Sequence, residues 1–100
     1  MDEAIRQEIL AMSRAAHSLT ETSYQQDPSK RGDPGWAEKQ RILLADMALH
    51  LLQTSLKDGE ISEDNLKRNL FSILTISDQF VRGHDLKTLA DELYSSTDEQ

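Results

Sequence analysis

The first segment of the chain carries one narrow stripe of apolar residues. Over residues 2–24, the apolar positions follow one another at intervals of four, three, four and three residues: Ile5, Ile9, Met12, Ala16 and Leu19. These intervals place them on one face of an α-helix, in the manner of a heptad seam. The pattern predicts a first helix whose apolar seam is narrow and can pack against one partner only.

The second predicted helix, over residues 34–57, is the most apolar part of the chain. Nine of the eleven residues from 42 to 52 are apolar, and Asp46 and His50 alone interrupt them. Those two fall on a single polar stripe, so most of the helix surface requires cover. A chain of 100 residues builds only a modest core. We therefore expect a homodimer through the second helix and its neighbours.

Two further helices are predicted after Gly59, which is placed to end the second helix in a left-handed conformation. Ser62 has the character of an N-cap for a third helix, which ends at Gly83. The apolar face of this third helix comprises Leu66, Leu70, Ile73, Leu74, Phe80 and Val81. A short fourth helix is predicted over residues 85–94.

Residues 26–35 contain both prolines of the chain and two of its four glycines, which predicts a flexible loop. At the end of the loop, Asp33 is expected to cap the second helix, with Pro34 at its first position. The predicted organisation is a single helical domain over residues 1–94, followed by a disordered tail over residues 95–100.

The composition favours an all-α fold. Fourteen leucines and eight alanines stand against one valine, Val81. Leucine and alanine are strong helix formers, whereas valine is favoured in sheets. We expect a small helical bundle of three long helices and a short C-terminal helix, assembled as a dimer.

Charge and composition exclude several partners. The net charge is −7, and the fourth helix sets Lys87 against Asp85, Asp91 and Glu92, which opposes direct binding to nucleic acid. No apolar run approaches the ~18 residues that a membrane span needs, and the N-terminus is acidic, unlike a signal peptide. These features predict a cytoplasmic protein that contacts neither nucleic acid nor membrane. The absence of cysteine excludes disulfides and thiolate zinc sites.

Asp46 and His50 are one helical turn apart and are the candidate metal pair of the sequence. A metal ion needs at least one or two more ligands, and His17 and His84 stand alone along the chain. The alternative interpretation is a polar stripe at the edge of a buried helix with a weak ion pair. We expect this second case, and therefore no metal and no cofactor.

Residues 58–62 resemble part of a calcium-binding loop, yet the required acidic ligands are missing: Leu56 stands at the third loop position and Asn65 at the twelfth. The sequence also lacks the GxSxG, Walker and GxGxxG motifs and any cysteine nucleophile. The prediction is a protein without enzymatic activity.

Aromatic and apolar residues supply the candidate contact surface. Trp36, Tyr24 and the basic pair Lys30-Arg31 either form a binding surface around the loop, or Trp36 closes the core as a lid. The residues predicted to contact a partner or a second subunit are Leu43, Met47, Leu51, Phe71, Leu74 and Trp36.

About half of the chain, residues 42–93, carries a resemblance to a known family. The resemblance consists of the apolar second helix, the turn with Asp58 and Gly59, the amphipathic third helix and the sequence DLKTL at 85–89. In these features the chain is similar to small enterobacterial biofilm and acid-resistance regulators. The resemblance implies an acidic helical dimer that acts through protein partners, and no site residue is carried over from it.

These observations predict a non-enzymatic protein–protein interaction module: a small acidic helical regulator, adaptor or inhibitor of another protein, acting as a homodimer. The alternatives are an acidic inhibitor or immunity-type protein that neutralises a basic toxin or nucleic-acid enzyme, a small bacterial biofilm or stress regulator, and a metal or small-ligand site at Asp46 and His50. The sequence names no partner.

Overall fold

The computed structural model describes the backbone of residues 1–98 and the side chains of residues 1–94. Within these residues the chain is all-helical, which confirms the predicted fold class. The four helices are α1 (Glu3–Gln26), α2 (Trp36–Leu56), α3 (Glu63–Ser77) and α4 (Leu86–Asp98). The last of them, with 13 residues, is the shortest.

Side chains at the helix starts explain where α1 and α3 begin. Asp2 Oδ1 accepts hydrogen bonds from the backbone N–H groups of Ala4 and Ile5, at 2.8 and 3.3 Å. Ser62 Oγ accepts from the N–H of Asn65 at 3.2 Å, which confirms the predicted N-cap of α3. Both caps satisfy donors that a helix start otherwise leaves unpaired.

The start of α2 differs from the prediction. Asp33 is not its N-cap, because the helix begins at Trp36 with Gly35 in the cap position and no side-chain cap. Asp33 Oδ2 instead accepts from the N–H of Lys30 at 2.7 Å, which closes a turn inside the loop. The predicted cap is therefore wrong, and Pro34 precedes the helix rather than occupying its first position.

The third helix is shorter than predicted. It ends at Ser77, and Phe80 and Val81, each 41% exposed, lie in the connection to α4 rather than on its apolar face. Gly83 adopts a φ of +81° in this connection, a left-handed conformation suited to glycine. The helix therefore ends six residues before Gly83, the residue at which the sequence predicted its end.

Two carboxylates hold the start of α4. Asp85 accepts from the N–H of Thr88 at 3.0 Å, and Asp78 Oδ1 accepts from the N–H groups of Leu86 and Lys87 at 2.9 and 3.2 Å. The helix continues to Asp98, beyond the predicted end at residue 94. Of the predicted tail, residues 99 and 100 lie outside the described residues, and disorder over 95–100 stays a prediction.

Only consecutive helices pack together within the described part of the chain: α1 on α2, α2 on α3, and α3 on α4. The molecule is flattened, with extents of 45 × 39 × 20 Å. Its radius of gyration is 15.5 Å, against about 13 Å for a compact chain of this length. None of these helices is long and apolar enough to cross a membrane.

The chain buries few apolar side chains. Among the described residues only Leu10, Ile76 and Ala90 are buried apolar residues, and Ser13, Gln40 and Asp46 are buried as well. The accessible surface is 7128 Å², whereas a compact monomer of 11.3 kDa exposes about 5,700 Å². The open arrangement thus leaves an excess of about 1,400 Å² per chain.

The predicted seam of α1 is not the face that packs on α2. Ile5, Met12 and Leu19 are 53%, 59% and 74% exposed, whereas Leu10 and Ser13 are buried. The packing face is therefore rotated toward polar positions, and every second seam residue remains open to solvent.

Candidate functional site: a polar cluster between α1 and α2

The contact between α1 and α2 contains a cluster of polar side chains from both helices. Two residues of α1, His17 and Thr20, meet two residues of α2, Asp46 and His50. The i,i+3 and i,i+4 spacings place each pair on one face of its helix. The rotated packing face of α1 brings these two faces together.

Asp46 is the centre of the cluster and is only 6% exposed. Its Oδ1 lies 2.6 Å from His17 Nδ1 and accepts a hydrogen bond from Thr20 Oγ1 at 2.5 Å. Its other oxygen, Oδ2, lies 3.4 Å from His50 Nε2. Burial of a carboxylate is costly unless hydrogen bonds or charges satisfy it, and here His17 and Thr20 lie within hydrogen-bond distance.

His17 has a carboxylate on each side of its ring. Its Nε2 lies 3.1 Å from Glu21 Oε2, while its Nδ1 faces Asp46. A neutral imidazole carries one N–H and donates to only one of two acceptors. The ring can therefore donate to one of the two carboxylates, while Asp46 also accepts from Thr20 and Glu21 is 53% exposed to water.

The two histidine rings also touch each other. Their centroids are 4.5 Å apart and the rings cross at 70°. Together with Asp46 they offer three ligand atoms that lie within 4.8 Å of one another. Among the described residues this is the one group of three or more metal-ligating side chains, and the turn at residues 58–62 contributes nothing to it.

Sequence reasoning found half of this cluster. It singled out Asp46 and His50 and interpreted His17 as isolated, which is wrong because α1 carries His17 to within hydrogen-bond distance of Asp46. The missed signal was the polar row His17, Thr20 and Glu21 beside the apolar seam of α1. Such a row identifies a packing face only once the partner helix is known.

Solvent reaches the cluster from one side. His50 retains 38% of its side-chain exposure, and it lines a cavity of about 500 Å³ between α2 and α3. Lys57, Arg68 and Asn69 are among the other residues around this cavity. Asp46 is thus buried, whereas His17 and His50 keep 24% and 38% of their side-chain exposure.

A second polar contact fastens α1 to the end of α2. Arg6 donates from its guanidinium to the carbonyl oxygen of Leu56 at 2.7 Å, which satisfies an unpaired carbonyl of the helix end. The hydrogen bond from Arg6 to Glu3 raises the pKa of Arg6 and lowers the pKa of Glu3. Arg6 and Glu3 are therefore both ionised at neutral pH.

The loop between α1 and α2 is held by Lys39. Its ammonium lies 4.8 Å from the centre of the Tyr24 ring and donates to the carbonyl of Ser29 at 3.2 Å. Lys30 and Arg31 are exposed, and Trp36, the first residue of α2, is half-buried. Both sequence interpretations of this aromatic and basic group remain open.

The residues predicted to contact a partner lie at intermediate exposure. Leu43, Met47, Leu51 and Leu74 are each half-buried. Phe71 packs edge-on against the ring of Tyr94, with centroids 5.3 Å apart, so it belongs to the contact between α3 and α4. Four members of the set belong to α2, and Phe71 and Leu74 belong to α3, which packs on α2.

Comparisons with models of known protein families, with curated proteins and with solved structures find no match to this chain. The resemblance to biofilm and acid-resistance regulators therefore rests on the sequence features alone and stays a prediction.

Proposed function

We propose that this chain is a non-enzymatic protein–protein interaction module that acts as a homodimer in the cytoplasm. In that role it is a small acidic regulator, adaptor or inhibitor of another protein. The observation that supports this most directly concerns residues 42–52, because none of their seven large apolar side chains is buried by the chain itself. A helix of this composition, left half-covered, favours association.

The amount of surplus surface fits a second copy of the chain. Stable complexes bury about 800 Å² on each partner, and obligate homodimers bury more. The excess of about 1,400 Å² over a compact monomer falls within that range. Association of two copies through α2 would therefore restore ordinary compactness.

One face of α2 is free for such a contact. Its exposed members lie at helical spacing and are mostly small: Ala37, Arg41, Ala45, Ala48 and Ser55. The half-buried Leu44 and Leu52 border this face. A second copy of α2 can approach closely there because alanine side chains do not hold the helices apart.

Two of the three alternatives, the acidic inhibitor and the biofilm or stress regulator, have less support. An acidic inhibitor of a basic protein rests on the net charge of −7, and the regulator type rests on the sequence resemblance. No described contact favours either of them over the general interaction module.

The test is the molar mass of the chain in solution, measured by size-exclusion chromatography with light scattering at micromolar concentration. We expect a dimer for the wild type and a monomer for Ala48→Glu, since the substitution places a charge in the proposed interface. Ala11→Glu is the matched control because Ala11 is equally exposed but lies on α1.

A wild-type monomer at micromolar concentration would overturn the proposed homodimer. A dimer that survives Ala48→Glu would show that the copies associate through a surface other than α2. Glutamate is a good helix former, so neither substitution is expected to unfold its helix.

A further inference from the structure

We propose that His17, Asp46 and His50 form a binding site for one divalent transition-metal ion of the Zn²⁺ type. The site lies between α1 and α2 and is separate from the proposed dimer face. It extends the pair singled out in the sequence by the third ligand, His17, which the fold supplies.

The positions of the ligand atoms suit such an ion. Zinc bonds to imidazole nitrogen and carboxylate oxygen are about 2.0–2.2 Å long, so neighbouring ligand atoms around a tetrahedral ion lie roughly 3.3 Å apart. Asp46 Oδ2 and His50 Nε2 are 3.4 Å apart. His17 Nδ1 lies 2.6 Å from the other oxygen, Oδ1, and one ligand atom of each of the three residues lies within 4.8 Å of the others. The three side chains therefore have to adjust from these spacings to the roughly 3.3 Å of a tetrahedral ion.

A metal ion also resolves the hydrogen bonding of His17. With its Nδ1 bound to the metal, Nε2 carries the proton and donates to Glu21, 3.1 Å away. Metal-binding histidines usually donate their second ring nitrogen to a carboxylate or carbonyl, which fixes the tautomer and the ring orientation. Glu21 is therefore a positioning residue, and Thr20 plays the same part by donating to Asp46.

The donor set selects the class of metal. Two imidazoles and one carboxylate suit zinc, nickel, cobalt and copper, whereas calcium and magnesium require oxygen ligands in larger number. Three protein ligands leave the fourth position to water, which reaches the site from the cavity beside His50. Binding links α1 to α2 and so stabilises their contact.

The primary experiment is a calorimetric titration of the full-length protein with Zn²⁺ at near-neutral pH. We expect one ion per chain, with binding lost in His17→Ala and in His50→Ala. His84→Ala is the matched control, because His84 is an exposed histidine of the connection between α3 and α4. Glu21→Gln is expected to weaken binding by about tenfold or more, in keeping with its positioning role.

Two variants remove side chains from a helix contact, so a measurement on the wild type accompanies them. In NMR spectra, added Zn²⁺ should shift the imidazole signals of His17 and His50 and leave those of His84 unchanged. No binding at micromolar Zn²⁺, one ion shared by two chains, or equal loss of binding in His84→Ala would each overturn the proposal. The dimer is judged separately, from the molar masses of the wild type and Ala48→Glu, and Ala48→Glu leaves all three metal ligands in place.

Discussion

The contact between α1 and α2 and the open faces of the same two helices show opposite distributions of polarity. The contact buries the polar residues Ser13 and Asp46 with one large apolar residue of α1, Leu10, while three apolar residues on the open face of α1 are 53–74% exposed. In most monomers the larger apolar side chains are inside and the carboxylates are outside. The difference indicates that polar contacts define how this chain folds onto itself, and that its apolar surface is available for association.

The two kinds of contact have different physical roles. Hydrogen bonds to a buried carboxylate are directional, so the cluster around Asp46 fixes the register of α1 against α2. Apolar contacts are less directional and scale with the area buried. A chain with few buried apolar residues therefore has a defined arrangement but little stability of its own.

Truncation of two leucines is the strongest way to separate folding from association. Leu10 is 8% exposed and is covered by its own chain, so Leu10→Ala should destabilise the subunit by about 3 kcal/mol. Leu51 is half-buried. In the proposed dimer the second copy completes the cover of Leu51, so Leu51→Ala should weaken that dimer by about 2 kcal/mol, roughly thirtyfold in Kd. Urea unfolding and analytical ultracentrifugation measure the two effects.

The comparison would fail if the two leucines behaved alike. A Leu51→Ala variant with an unchanged dimer Kd would mean that this side of α2 is not part of the interface. A Leu10→Ala variant with normal subunit stability would mean that the few buried apolar residues do not support the fold.

The second-largest predicted effect on stability comes from Asp46, the buried carboxylate of the contact between α1 and α2. Asp46→Ala removes the acceptor that Thr20 reaches across the helix contact, so its hydroxyl keeps only the carbonyl of His17, and it deprives His17 of one carboxylate. Loss of a buried acceptor costs about 1–3 kcal/mol, so we expect a loss of about 2 kcal/mol in the free energy of unfolding. Urea unfolding of the metal-free protein at a fixed protein concentration measures it.

The control is an exposed ion pair on the same helix. Glu38 and Arg41 are 3.0 Å apart with more than half of each side chain exposed, so Glu38→Ala should cost less than about 0.5 kcal/mol. Equal effects of the two substitutions would show that the buried cluster does not determine the helix contact.

The sequence predicted the helices and one of the two expected caps, and it predicted the contacts between helices poorly. Ser62 was identified as a cap because a cap depends on residues within one helical turn, although Asp33, proposed on the same ground, closes a turn in the loop instead. His17 was missed because its partner Asp46 is 29 positions away, and the apolar seam of α1 pointed to a different packing face. The same limit explains Asp78, whose carboxylate caps a helix that starts eight residues later.

Removal of the Asp78 carboxylate should have a smaller effect, confined to α4. Asp78→Ala frees the N–H groups of Leu86 and Lys87, and lost caps typically cost about 1 kcal/mol. We expect a small decrease in helicity by circular dichroism and faster amide exchange in α4 alone. Glu8→Ala is the control, since Glu8 is an exposed residue of α1. Faster exchange in α1 and α2 as well would contradict a local role.

The smallest predicted effect is the pH dependence of the other carboxylate that caps α4. Hydrogen bonds from the Thr88 hydroxyl and N–H lower the pKa of Asp85 below its ordinary value of 3.8. A carboxyl with a depressed folded-state pKa adds stability that is present above that ordinary value and lost as the pH falls through the folded-state pKa. The difference in urea midpoint between wild type and Asp85→Asn should therefore be constant at neutral pH and shrink in acid. A difference that persisted unchanged to strongly acidic pH would show that the charge of Asp85 does not contribute to stability. The cap would then act only through hydrogen bonds that a neutral side chain also makes.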